Sequence, residues 1–313
     1  MCHWNTVNWN CIIRKETLEE KISEEEKHAL SRLQKELSEQ KKVELLFTDA
    51  DMEKDITFFL SGHHVKPEEC MLLATEPEEV AWAKKDADSD SDSDQLTIIG
   101  YEVPDFSKQM PLNNVDMLLL GLEEVDTEFL LRTFQRKHHL PWRILETKRC
   151  YLREITLDDM DDLFDLYNKK GITDYIEPLY ERQEEEEYQR AYIENMYGYY
   201  GYGMWLVKEK DTHRLIGRAG IDYRMLGEEE IIEMGYVIAP EYQRQGYAYE
   251  VCQAIMAWVK NNLDFRRIDC LVEPGNEASL GLLHKLGFQE TEKIKQDGKL
   301  FRHFWYFYTG LES

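Results

Sequence analysis

The chain has 313 residues at 37.3 kDa, too many for one ordinary small domain and about right for two of roughly 100–200 residues each. With 42% hydrophobic and 32% charged residues it can bury a sizeable core, and no apolar run nears the ~18 residues that a membrane span needs. The formal charge of −24, from 62 acidic against 38 basic residues and carried by both halves, argues against nucleic acid or anionic lipid as partner and for a cationic one.

The start, MCHWNTVNWN, lacks the basic-then-apolar order of a secretion signal, so a cytoplasmic location is the economical expectation. The six cysteines, Cys2, Cys11, Cys70, Cys150, Cys252 and Cys270, are scattered, with no CxxC pair and no His spacing of the kind zinc needs, so reduced thiols and no metal centre are expected. From Thr17 to about Lys42 a charged segment carries a thin apolar stripe (Leu18, Ile22, Ala29, Leu33, Leu37), opened by Thr17 and Glu20 in capping-box spacing, and predicts a surface helix. The apolar runs VELLF, CMLLA, LTIIGY and VDMLLLG follow, separated by helix-compatible stretches, as in a mostly parallel sheet with crossover helices. Among them DADSDSDSD, Asp86 to Asp94, repels itself and has nothing to bury, which predicts a solvated loop; a calcium loop would need the glycine turn and terminal Glu that are missing.

A helix from about Asp126 to His138 ends before Leu140-Pro141-Trp142, and a strand, CYLREI, begins beyond it. The boundary placed there gives domains 1–145 and 146–313. In the second, Thr156 and Asp159 in capping-box spacing open a helix with Leu157, Met160, Leu163, Phe164 and Tyr167 on one face. A charged helix is expected from about Glu181 to Met196, and then strands in MWLVKE, RLIGRAGIDY and EIIEMGYVIA. A turn and helix (Gln245 to Asn262), a strand in RIDCLV, a short helix (Glu277 to Leu286) and terminal strands complete the order.

The most informative segment is EMGYVIAPEYQRQGYA, Glu233 to Ala248, which passes from a strand through a polar, Gly-containing turn into an amphipathic helix. A loop feeding a helix N-terminus leaves backbone N–H groups unpaired at the positive end of the helix dipole, an arrangement suited to a pyrophosphate. Gly246 lets a phosphate approach the backbone and Ala248 keeps the helix start clear. No GK[ST] follows and no GxGxxG is present, so neither a Walker loop nor a dinucleotide turn is expected.

Gln243-Arg244-Gln245-Gly246-Tyr247-Ala248 resembles the Q/R-x-x-G-x-G/A signature of the GNAT superfamily of acetyl-CoA-dependent N-acetyltransferases. Downstream, Asn276 to Phe288 resembles the NxxSxxxxxKxGF element of the branch that contains ribosomal-protein N-terminal acetyltransferases. The resemblance covers about Lys148 to Thr309, roughly half the chain. It implies a mixed α+β acetyltransferase fold for 146–313, an acetyl-CoA cosubstrate, and direct attack of an amine on the thioester with no covalent enzyme intermediate. Backbone amides of Arg244, Gln245, Gly246, Tyr247 and Ala248 would hold the CoA pyrophosphate, with Gln243, which opens the signature, also among the cofactor-binding residues. The strand ending Tyr236-Val237-Ile238 would pair with the pantetheine arm, and Asn276 would contact it.

The resemblance assigns the base to Glu233, acting directly or through water, although an ordinary strand carboxylate reads the same way. Many family members protonate the thiolate with a tyrosine at the position held here by Leu283; Ser279 matches the serine of the ribosomal-protein branch and is the expected donor. Glu184 to Glu187 and the tyrosine-dense stretch Met196 to Trp205 are candidates for an anionic, aromatic site receiving a protein N-terminus or a small cationic amine. The same residues read equally as a solvated helix face and packing. A catalytically silent CoA-binding or scaffold protein is the alternative, and the oligomeric state stays open.

In the N-terminal half, Asp49 and Asp51 stand after a hydrophobic strand in the DxD spacing of the haloacid dehalogenases, and Val65 to Lys85 resembles that superfamily's late strand and helix. The metal-binding acids expected at the strand end are replaced by Ala74 and Thr75, so Mg²⁺ would be poorly held. The expectation is a small Rossmann-like α/β domain, degenerate and without phosphatase activity.

Overall fold

Ser23 and Glu26 close a capping box: the Ser23 N–H donates to Glu26 Oε2 (2.9 Å) and the Glu26 N–H to Ser23 Oγ (3.2 Å). They start helix α1, Glu24–Glu39, which buries Leu30, Leu33 and Leu37. The helix thus begins later than Thr17; Thr17, Leu18 and Glu20 lie outside the described residues. The computed structural model describes residues 9–14, 22–39, 43–48, 66–84, 96–102, 112–296 and 298–308, and the chain divides into two compact units, Met1–Leu140 and Pro141–Ser313.

The first unit holds a parallel sheet of β1 (Trp9–Arg14), β2 (Val43–Thr48), β3 (Cys70–Ala74), β4 (Thr97–Tyr101) and β5 (Met117–Leu119), in the order β2-β1-β3-β4-β5. Alternation along β3 sends Met71 and Leu73 to one core, with α1, Ile99, Tyr101 and Phe134 of helix α3 (Thr127–Lys137). Cys70, Leu72 and Ala74 point to the opposite core, with Ile98 and Val80 of helix α2 (Pro77–Ala83). Burial on both faces explains why these strands read as unbroken apolar runs. Helix α3 starts as its sequence dictates, with the Asp126 carboxylate accepting from the Phe129 N–H at 2.7 Å. At the end of β3, Glu79 turns back to accept from the Thr75 N–H (2.6 Å), so this carboxylate is spent on the helix start. Asp49, Asp51 and the acidic run 86–94 lie outside the described residues.

The second unit is a mixed α/β structure on an eight-stranded sheet, in the order β12-β13-β11-β10-β9-β8-β7-β6. Its strands are β6 (Arg143–Glu146), β7 (Cys150–Arg153), β8 (Met204–Glu209), β9 (Leu215–Leu226), β10 (Glu229–Ile238), β11 (Arg267–Val272), β12 (Gln289–Gln296) and β13 (Lys299–Phe307). All neighbours are antiparallel except β10 and β11. β6 is an edge strand that the sequence reading did not separate from the boundary. The helices are α4 (Met160–Tyr167), α5 (Arg182–Tyr192), α6 (Tyr247–Asn262) and α7 (Glu277–Leu286). Thr156 and Asp159 begin the turn into α4 as expected, the Thr156 N–H donating to Asp159 Oδ2 at 2.9 Å. The sheet packs on α6 through Trp205, Ile221, Val251, Ile255 and Val259, all fully buried, with Trp205 edge-on to Trp258 at 5.0 Å.

The charged helix expected to Met196 is α-helical only to Tyr192 and continues as a π-helix, Ile193–Tyr200. The wider turn ends at left-handed Gly201 (φ 75°) and delivers Tyr197 into the core, where its hydroxyl donates to the Met204 carbonyl at 2.5 Å.

Candidate functional site

β10 positions the site. It pairs with β9 along its whole length, from Glu229↔Leu226 to Ile238↔Gly217, but with β11 it shares one register, Glu233↔Asp269. Past that point the two parallel strands splay, and the edge of β10 through Tyr236, Val237 and Ile238 has no strand partner on that side among the described residues. Where the splay begins, the Cys270 thiol donates to the Met234 carbonyl (3.3 Å). Burial raises both the Cys270 and Cys252 thiols, which makes them packing groups and not nucleophiles.

Beyond Ile238 the chain turns through Pro240–Tyr242 into the loop that opens α6. The Gln243 side chain donates to the Ile238 carbonyl (2.8 Å) and that of Gln245 to the Glu241 carbonyl (2.7 Å), so both amides build the loop. Arg244 (φ 60°) and Gly246 (φ 83°) are left-handed, a conformation costly for the former and natural for the latter. The first N–H groups of the 16-residue α6 have no intrahelical acceptor, and the dipole of the helix adds positive potential there.

Arg149, from the turn before β7, completes the cradle. Its Nε donates to Glu250 Oε2 (2.8 Å) and its Nη1 to the Gln245 carbonyl (3.1 Å), and its guanidinium lies 3.8 Å over the Tyr247 ring. Thr147 Oγ1 donates to Glu250 Oε1 (2.7 Å), and the Tyr247 hydroxyl to Glu209 Oε1 (3.0 Å). A Cβ at Gly246 would stand 3.6 Å from Arg149 Nη2, in the space between the loop and this cation. An unpaired helix start, a glycine and a fixed arginine together fit a pyrophosphate. No local signal marked Arg149, which lies about a hundred residues upstream of the motif it supports.

Glu233 stands at the last paired register before the splay, with its side chain 17% exposed and ion-paired to Arg224. Burial raises its carboxyl above the ordinary range, and Arg224 opposes the rise. Directly across the strand pair, and so on the same face, is Asp222, also raised by burial. Asp222 accepts from the Tyr192 hydroxyl (2.5 Å), and Tyr192 in turn accepts from the Met204 N–H (2.7 Å). Sequence reasoning missed Asp222; the only signal was its place opposite Glu233, which requires the register. On the other side Asp269 is buried against His303 Nε2 (2.7 Å) and Arg267 Nε (2.8 Å). Three acidic side chains thus line one face of the sheet where it opens.

Asn276 caps α7, its Oδ1 accepting from the Ser279 N–H at 3.1 Å, and Leu283 is fully buried in the core. The acidic run on α5 is largely engaged within the unit: Glu185 accepts from the Tyr180 N–H (3.0 Å) and from Gln189 (2.7 Å), while Glu186 pairs with Arg182. Tyr192, Tyr197 and Tyr202 are buried in the core, whereas Tyr188, Tyr199 and Tyr200 keep exposed faces. Within the tyrosine-dense stretch Tyr197 and Tyr202 thus serve as packing, the π-helix turning Tyr197 inward, while Tyr199 and Tyr200 face outward.

A family model described as "Acetyltransferase (GNAT) domain" matches residues 149–289. The chain is 33% identical over 156 residues to "Uncharacterized N-acetyltransferase YoaA" of Bacillus subtilis (strain 168), a match spanning 49% of this chain and 86% of YoaA. It is 28% identical to "Uncharacterized protein YkkB" of the same organism, over 50% of this chain and 90% of that protein. Among solved structures, the ribosomal-protein-S5-alanine acetyltransferase from Vibrio fischeri aligns with a TM-score of 0.47 at 16% identity, over 54% of this chain and 98% of that one.

Proposed function

We propose that this chain, which belongs to the GNAT acetyltransferase family and is thereby an acyltransferase, moves an acetyl group from acetyl-CoA to a primary amine by direct attack, the acceptor being a protein N-terminus or a small cationic amine. The observation that carries the reading is the layout of one strand: a raised carboxylate at Glu233, an open backbone edge after it, and a phosphate-fitting loop at its end. Acetyl-CoA, the family's cosubstrate, supplies the activated acyl group.

The backbone N–H groups of Arg244, Gln245, Gly246, Tyr247 and Ala248 hold the pyrophosphate, with Arg149 neutralising charge beside them. The free edge of Tyr236, Val237 and Ile238 pairs with the pantetheine amides, and the amide nitrogen of Asn276, whose Oδ1 caps α7, is left to contact the arm. From Ile238 back to Glu233 is about 17 Å at the strand rise, close to the reach of an extended pantetheine arm, about 15 Å. Asp222 and Glu233 attract an ammonium, and Glu233 takes its proton. A carboxylate raised by burial is a better match for an ammonium than an exposed one, because base strength rises with pKa.

The N-terminal unit is read as a degenerate haloacid-dehalogenase-like domain that docks a partner or shapes access to the acceptor. Its strand order, β2-β1-β3-β4-β5, is one of the doubly wound orders, and Glu79 at the end of β3 is committed to its own helix. Its separate identity from the catalytic domain, 1–145 against 146–313, belongs to the same reading. Among the described residues no helix is long and apolar enough to cross a membrane, and a cytoplasmic site of action goes with the proposal.

Calorimetric titration of the purified chain with acetyl-CoA tests the reading. Saturable one-to-one binding is expected, followed by thiol release with amines at saturating acetyl-CoA. Binding without release across protein N-terminal peptides and polyamines would favour the silent scaffold; no binding at millimolar ligand would remove the cradle itself.

A further inference from the structure

The bond to sulfur must break as the bond to nitrogen forms, and the two events need separate protein groups. Alternation along β10 separates them: Glu233 and Val237 share one face, while Met234, Tyr236 and Ile238 share the other, toward the α6 core. Tyr236 therefore lies three residues into the splay, on the side of the sheet opposite the base. Its hydroxyl is buried and makes no hydrogen bond of good geometry among the described residues, Ser279 being the neighbouring polar group that acts on it. Leaving a buried hydroxyl unsatisfied costs about 1–3 kcal/mol, so such a group in a native site calls for an explanation. Around it stand the Cys252 and Cys270 thiols and Ser279 at the start of α7.

We propose that the Tyr236 hydroxyl donates the proton that the departing CoA thiolate takes up. The inference rests on the acetyltransferase reading above. As the amine nitrogen adds to the thioester carbon, the C–S pair leaves on sulfur. The Tyr236 O–H passes its proton to that sulfur, and the tyrosinate is restored from water by way of the Ser279 hydroxyl. The nitrogen's protons leave through Glu233, so an ammonium and acetyl-CoA yield amide, free thiol and one proton to solvent. Burial raises the phenol, with Ser279 pulling against the rise, so the donor is fully loaded at neutral pH. The same apolar surroundings raise a thiolate formed beside it, which keeps donor and acceptor matched. Ser279 becomes a positioning residue in place of the donor, while Leu283 keeps to the core.

Tyr236→Phe keeps the ring and removes only the oxygen. Acetyl-CoA affinity should stay within about twofold while turnover falls about 100-fold, the scale of losing a general acid. A second readout needs no acceptor: the pH at which the thiol of bound CoA becomes reactive toward iodoacetamide should rise by about one unit in the variant, and less in Ser279→Ala. The melting temperature should be unchanged or higher, because an unsatisfied buried hydroxyl is removed. Retained affinity with an unmoved thiol, or turnover within threefold of wild type, would overturn the assignment while leaving the acetyltransferase reading intact. Failure of the unmodified protein to bind acetyl-CoA would remove both. Should Tyr236→Phe misfold, 3-fluorotyrosine at position 236 provides the second handle: a more acidic phenol must move the bound thiol's ionisation downward, and an unmoved value again overturns the proposal.

Discussion

Glu233 is held between opposing forces. Burial favours its neutral form, Asp222 across the strand adds repulsion, and Arg224 pulls the other way. A base must be unprotonated to act, so kcat/KM should fall as pH drops through a limb above the ordinary carboxylate range. Arg224→Ala removes the opposing cation and should move that limb to higher pH. Glu233→Gln should lower turnover by at least tenfold with acetyl-CoA affinity nearly unchanged, as pH–rate profiles and calorimetry on the two variants will show. Stability runs in the other direction. With the folded value raised, Glu233's stabilising contribution is full below the ordinary carboxylate pKa and is lost as pH rises through the raised one. Once ionised, the buried carboxylate is thus a liability, and above that limb Glu233→Gln should melt at an equal or higher temperature. A drop in both turnover and melting temperature would instead make Glu233 a structural partner of Arg224.

At the scale of elements, what was legible was what is contiguous. Glu233 to Ala248 is strand, turn and helix in one stretch, so the glycine and the helix start were open to reading from composition and order, whereas the splayed edge came only with the family resemblance. The partners that complete them come from elsewhere. Arg149 reaches the loop from the turn before β7, and Asp222 meets Glu233 only because β9 and β10 pair in that register. What the side chains of Gln243, Gln245 and Asn276 do was hidden for a different reason. Their side chains satisfy backbone groups of their own turns, and a local amide shows no preference for ligand over backbone in sequence. Burial of Tyr197 likewise follows from the switch to a π-helix, which shifts each later side chain of that segment around the axis. The loop's conformation gives a direct test. At Gly246, with φ 83°, aspartate would bring both backbone strain and a negative charge toward the position assigned to phosphate. Gly246→Asp should weaken acetyl-CoA binding more than tenfold by calorimetry, and unaltered binding would show that the cradle lies elsewhere.

For the whole molecule, the charge of −24 would act on the two substrates of the proposed reaction at once and in opposite senses. A cationic amine is drawn toward an acidic surface and its encounter rate is raised at low salt, whereas acetyl-CoA, itself an anion, is repelled until it reaches the helix-dipole potential at the α6 N-terminus, where Arg149 is itself ion-paired to Glu250. Added salt shortens the reach of the overall field to about 8 Å at physiological ionic strength, but leaves close contacts inside the cradle less affected. Raising the ionic strength should therefore lower kcat/KM for a polyamine acceptor measured at saturating acetyl-CoA, and raise the association rate of acetyl-CoA measured by stopped flow. A neutral-bodied amine bearing a single charge should show the first effect only weakly, because attraction scales with acceptor charge. If both substrates respond with the same sign, the acidic surface is not steering the acceptor, and the proposed preference for cations rests wholly on Asp222 and Glu233, where salt has little access.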